Sequence, residues 1–117
     1  MSEQIPEVLF ENDEFLVLNK PSGWHSVMGK GDARGERSVE AWLRQRDSEA
    51  EHLPEAGLIH RLDRGTSGCL IVAKTFEASD ILQEQLRNGG IDKRYLAVTE
   101  GRLHHRKGEF VHLTLAQ

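Results

Sequence analysis

Cysteine is almost missing from this chain: Cys69 is the only one in 117 residues. An internal disulfide is therefore excluded, and a reducing, cytoplasmic setting is expected. Long apolar runs are missing too. The longest, Cys69 to Ala73, has five residues against the roughly twenty of a membrane-spanning helix, so no membrane partner is predicted. The first residues, Met1-Ser2-Glu3-Gln4, lack the basic flank and apolar core of a signal peptide. Excess basic charge, the usual mark of a nucleic-acid binder, is absent as well, since the net charge is −4. There is no internal repeat and no low-complexity tract. His104 and His105 have neither a cysteine nor a carboxylate at ligand spacing, so they read as a surface pair and no metal is predicted.

What is present fits one small soluble domain. Apolar residues make up 38% and charged residues 29% of the chain, ordinary for a globular protein. A chain this short buries a real core but has little room for a deep cleft. Its charge is unevenly spread: residues 1–56 hold 12 acidic and 6 basic side chains, whereas residues 57–117 hold 7 and 9. Between Arg87 and Lys107 the basic residues Arg87, Lys93, Arg94, Arg102, Arg106 and Lys107 meet only Asp92 and Glu100. Such a stripe is compatible with RNA contact, and equally with a solvated charged face.

Val8–Phe10 and Phe15–Leu18, separated by Glu11-Asn12-Asp13-Glu14, predict a strand pair joined by a tight turn. The stretch from Gly29 to Arg37 reads as an exposed loop. Ser38 is placed to cap a helix carrying Val39, Trp42, Leu43 and Arg46. Residues 47–56, acidic and containing Pro54, read as a loop. Cys69–Ala73 predicts a buried strand, with Cys69 a small apolar core residue. Thr75 opens a second helix, which Asn88-Gly89-Gly90 ends. Strands follow over Lys93–Glu100 and over Phe110–Leu115, where apolar and polar residues alternate. The expected fold is α+β, a mixed and mainly antiparallel sheet with flanking helices.

Between the acidic loop and the buried strand lies His60-Arg61-Leu62-Asp63-Arg64-Gly65-Thr66-Ser67-Gly68. One carboxylate sits among two arginines and a histidine, followed by small and hydroxyl residues that suit a tight turn. Cationic neighbours favour the ionised carboxylate and can also meet a polyanion, which fits a nucleophile or base acting on a phosphate-bearing substrate. By itself such an aspartate is more often a turn cap or an ion-pair partner of Arg61 or Arg64.

The run closely resembles the signature of the RluA-type pseudouridine synthases: His-Arg-Leu-Asp, two variable residues, then Thr-Ser-Gly. Two more motifs of that family follow its order, Leu18-Asn19-Lys20-Pro21-Ser22-Gly23 upstream and Lys93-Arg94-Tyr95-Leu96-Ala97-Val98 downstream. The resemblance implies a large mixed sheet with a cleft along it, and isomerisation of specific uridines in rRNA or tRNA. That reaction breaks the bond from ribose C1′ to uracil N1 and rejoins the ring through C5. It needs no cofactor and no redox change. One carboxylate suffices, either adding to the sugar or base or removing a sugar proton, and the resemblance assigns that part to Asp63.

The resemblance further implies that Arg61 fills the space left by a flipped base, and that Tyr95 packs on the uracil. Lys93 is either a phosphate contact or a solvated lysine. His60 and Leu62 belong to the motif, and Thr66, Ser67 and Gly68 shape the turn, with Gly68 letting the backbone pass close. Lys20 and Pro21 are expected to play a structural part at the cleft edge. The family's later motif, resembling Gly-Arg-Thr-His-Gln-Ile-Arg, does not occur in this sequence. Residues 1–117 are thus expected to form a partial pseudouridine synthase catalytic domain, without the S4-type RNA-binding domain many relatives carry. The alternative is an incomplete fragment or remnant that binds RNA without modifying it. A sheet cut short leaves an unpaired edge, so self-association is predicted.

Overall fold

The computed structural model describes residues 4–28, 37–94 and 96. Three strands, β1 (Glu7–Glu11), β2 (Phe15–Lys20) and β3 (Gly68–Ala73), form an antiparallel sheet in the order β1-β2-β3. Two helices, α1 (Val39–Arg46) and α2 (Phe76–Arg87), complete an α+β arrangement. The expected β1–β2 hairpin is present. Asn12 closes it, its side-chain oxygen accepting from the Glu14 and Phe15 amides at 2.8 and 2.9 Å, as expected of Asn in a turn.

The main core lies on one face of the sheet. Leu16 and Leu18 of β2 and Leu70 and Val72 of β3 alternate onto that face and pack with Val39 and Leu43 of α1. Each such buried aliphatic side chain contributes roughly 1.5–3 kcal/mol. Helix α1 presents these residues because Ser38 starts it as read, its Oγ accepting from the Ala41 amide at 3.1 Å. A smaller cluster on the opposite face joins Ala73, Ile59 and Ala78 of α2. Thr75 caps α2, accepting from the Ala78 amide at 3.0 Å. The helix ends in a Schellman motif: Gly89 has φ 77, and the Gly90 amide donates to the Gln85 carbonyl at 2.8 Å.

Two expectations change. Residues 47–56 are not a plain loop but carry two short 3-10 turns, Ser48–His52 and Pro54–Gly57, which bury Ala50 and Ala56 in the core. Turns this short leave no periodic signal in a sequence. Cys69 is exposed rather than buried. Strand alternation sends Leu70 and Val72 into the core and Cys69 to the other face, where the small cluster gathers around Ile71 and Ala73.

Of the predicted strand Lys93–Glu100, Lys93, Arg94 and Leu96 are described and lie outside regular structure. Its remainder, the strand Phe110–Leu115, residues 29–36 of the predicted loop, and His104 and His105 lie outside the described residues. No helix among the described residues is long and apolar enough to cross a membrane.

Candidate active site

The pairing of β2 with β3 builds the site. Their register sets Lys20, the last residue of β2, opposite Gly68, the first of β3. The upstream segment Lys20–Gly23 and the signature run that precedes β3 are therefore brought side by side, although they lie more than forty residues apart. Gly68 enters the strand at φ 140, a conformation that glycine adopts readily and other residues rarely do. Its requirement is conformational rather than one of close approach, since an added Cβ would meet only Leu62 Cδ1 at an ordinary 3.9 Å.

Asp63 starts a turn closed by the Thr66 amide, which donates to the Asp63 carbonyl at 3.0 Å. The upstream segment then fastens the turn residue by residue. The Gly23 amide donates to the Arg64 carbonyl at 2.7 Å, Arg64 Nε returns a bond to the Gly23 carbonyl at 3.3 Å, and Ser22 Oγ donates to the Gly65 carbonyl at 3.1 Å. On the other side of Asp63, Ser26 makes a reciprocal pair with Leu62. Its Oγ donates to the Leu62 carbonyl at 2.6 Å and accepts from the Leu62 amide at 2.8 Å.

Lys20 is wholly buried beneath this turn. Its ammonium group donates to the carbonyls of Pro21, Trp24 and Arg64 at 3.1, 2.6 and 3.2 Å, so all three of its protons are used. Burial pushes its pKa below the usual lysine value, and the Asp63 carboxylate opposes that shift. Lys20 is thus both a peg that holds three backbone carbonyls and a positive charge whose field reaches Asp63. Pro21 is buried beside it.

The cations near Asp63 in sequence have tasks of their own. His60 Nε2 accepts from the Ile71 amide at 3.1 Å, satisfying a strand donor with a side chain. Burial first, and then the charge of Lys93, lower its pKa, so the imidazole is neutral near pH 7 with its proton on Nδ1. That Nδ1 is buried without a hydrogen-bond partner among the described residues. Arg61 forms an ion pair with Glu55.

The upstream segment and the signature run meet at this turn, with Leu62 half-buried, and Ser67 and Lys93 are exposed. Tyr95 lies outside the described residues. Beside the turn runs an open groove of about 350 Å3, lined by Gln4, Ile5, Glu7, Asn19, Lys20, Pro21, Ser22 and Ser67. Among the described residues no group of three His, Cys, Asp or Glu side chains is placed to hold a metal. Ser26 and Glu55 were missed by sequence reasoning. A lone serine has no local signature, and only the fold brings Ser26 to Leu62, 36 residues away.

The described site is a half-buried carboxylate on a turn tied down from both sides, with a buried ammonium charge below it. Comparison with known proteins gives the family. The chain matches RNA pseudouridylate synthase over residues 14–114 and belongs to that family. It is 42% identical over 102 residues to ribosomal large subunit pseudouridine synthase D of Xanthomonas campestris, covering 86% of this chain and 30% of the relative. It is 48% identical over 94 residues to ribosomal large subunit pseudouridine synthase C of Escherichia coli K12, covering 80% and 28%. Synthase D of Nitrosomonas europaea is 37% identical over 103 residues, 87% of this chain and 29% of the relative. The chain thus spans less than a third of the length of the curated relatives it matches.

Proposed function

We propose that this chain carries the catalytic aspartate of an RNA pseudouridine synthase, with Asp63 as the reacting carboxylate and a uridine of ribosomal RNA as substrate. The supporting observation is the union of two motifs in space: Lys20–Gly23 holds the backbone of Arg64 and Gly65 immediately after Asp63. Fixing a nucleophile or base in this way favours catalysis by positioning, where misplacement of about 1 Å can cost roughly 100-fold in rate. In this reading residues 1–117 are part of the catalytic domain and work in the cytoplasm. Arg61 and Lys93 meet the RNA, Tyr95 stacks on the displaced uracil, and no cofactor takes part. The outer strand β1, with Leu9 and Phe10 about half exposed at 49% and 51%, offers an edge for self-association.

The test is tritium release from RNA labelled at uridine C5, comparing the chain with its Asp63→Asn variant. Release that Asp63→Asn abolishes supports the reading. Salt-sensitive RNA binding with no release, unchanged by Asp63→Asn, would instead mark a unit that binds RNA without isomerising it.

A further inference from the structure

We propose that Glu55 is a positioning residue that restrains Arg61, so that this guanidinium is released only when bound RNA competes for it. The proposal rests on the reading that the turn carrying Asp63 faces RNA. Arg61 lies two residues before Asp63, and its side chain is 60% exposed. A guanidinium there meets any polyanion seated at the turn, because phosphate oxygens match its fork of donors. In the structure one Nη of that guanidinium donates to a carboxylate oxygen of Glu55.

The backbone around Glu55 indicates why a glutamate stands there. Three successive residues, Glu55, Ala56 and Gly57, have φ values of 51, 59 and 93. Left-handed backbone is costly for residues other than glycine, with asparagine and aspartate better tolerated than most. Two of the three are explained by packing. Ala56 sits in the core at 1% exposure, and an added Cβ on Gly57 would lie 2.1 Å from the Ala73 carbonyl oxygen. Glu55 is only half-buried and belongs to neither core cluster. What it supplies, and a glycine would not, is a carboxylate on Arg61. Strain held at such a place marks a functional demand on the side chain.

A solvent-exposed ion pair is weak, equivalent to about a two- to fivefold shift in an equilibrium. That strength suits a latch. RNA that replaces the carboxylate with phosphate or base contacts recovers the loss, whereas a poorly seated RNA bears it in full.

The test is a double-mutant cycle on the full 117-residue chain. Binding to a fluorescein-labelled RNA stem-loop with a uridine in its loop is followed by anisotropy for wild type, Glu55→Gln, Arg61→Ala and the pair. Glu55→Gln is expected to bind about two- to fivefold more tightly, and the gain is expected to vanish in the Arg61→Ala background. Glu55→Gly, which relieves the left-handed strain and so does not endanger folding, should reproduce the gain. Equal tightening with and without Arg61 would show only the loss of one negative charge and would overturn the proposal. Unchanged or weaker binding by both Glu55 variants overturns it as well. Failure of the wild type to bind RNA at all would instead remove the functional reading, and the latch would fall with it.

Discussion

Ser26→Ala is the sharpest probe of how the turn is held. The Ser26 side chain is 4% exposed, and its hydroxyl bonds both backbone groups of Leu62, at 2.6 and 2.8 Å. Alanine leaves one donor and one acceptor of Leu62 without those partners. An unsatisfied buried polar group costs about 1–3 kcal/mol, and Leu62 is only half-buried, which favours the lower half of that range. Two such groups give a loss of about 2–4 kcal/mol. With a urea dependence of about 2 kcal/mol per molar, the middle of the range for a small domain, the unfolding midpoint should fall by about 1–2 M. Ser22→Ala is the control. That hydroxyl is exposed and makes a single 3.1 Å bond to the Gly65 carbonyl, so its removal should cost about 0.5 kcal/mol or less. Tritium release should fall further for Ser26→Ala than the unfolded fraction explains, because Leu62 precedes Asp63 directly. A midpoint shift for Ser26→Ala no larger than that for Ser22→Ala would refute the claim that the serine pair fixes the turn.

Glu11 joins three elements, bonding Arg46 of α1 at 2.6 Å and Lys74 after β3 at 2.8 Å. The hydrogen bonds from Arg46 and then Lys74 hold its pKa at about 2, against an ordinary 4.5. Between those values the unfolded chain binds more protons than the folded one, so stability rises with pH. The contribution is full above about pH 4.5 and is lost as pH falls toward 2. After allowing for solvent screening it amounts to about 1 kcal/mol. Glu11→Gln should flatten the acid limb of a stability–pH curve, and high salt should shrink the difference; an unaltered limb would show the clasp to be inert. Gly57→Ala should be far more damaging, because the added Cβ meets the Ala73 carbonyl oxygen at 2.1 Å and φ is 93. Loss of about 3 kcal/mol or more is expected in thermal or urea unfolding, and a near-neutral result would mean that the 55–57 turn is not built as described.

Much of the framework was legible because its causes are local. Short apolar runs marked β1, β2 and β3, and side-chain oxygens at Ser38 and Thr75 marked the two helix starts. Asn88-Gly89-Gly90 marked where α2 stops, since glycine takes the left-handed turn at least cost. The 3-10 turns of residues 48–57 escaped because their buried residues follow no period long enough to read. Cys69 was misplaced because an apolar run does not tell which of its faces is covered.

By itself the sequence determined the three strands, the two helices, the turn at Asp63 and, through three motifs, the family. Each depends on residues within a few positions of one another, whose preferences act before any fold exists. Only the tertiary structure decided what holds the turn. The β2–β3 register set Lys20 against the start of β3, and the fold brought Ser26 to Leu62 and Arg61 to Glu55. Those contacts depend on directions imposed by packing, and a hydroxyl or ammonium group carries no mark in the sequence of which distant carbonyl it will meet.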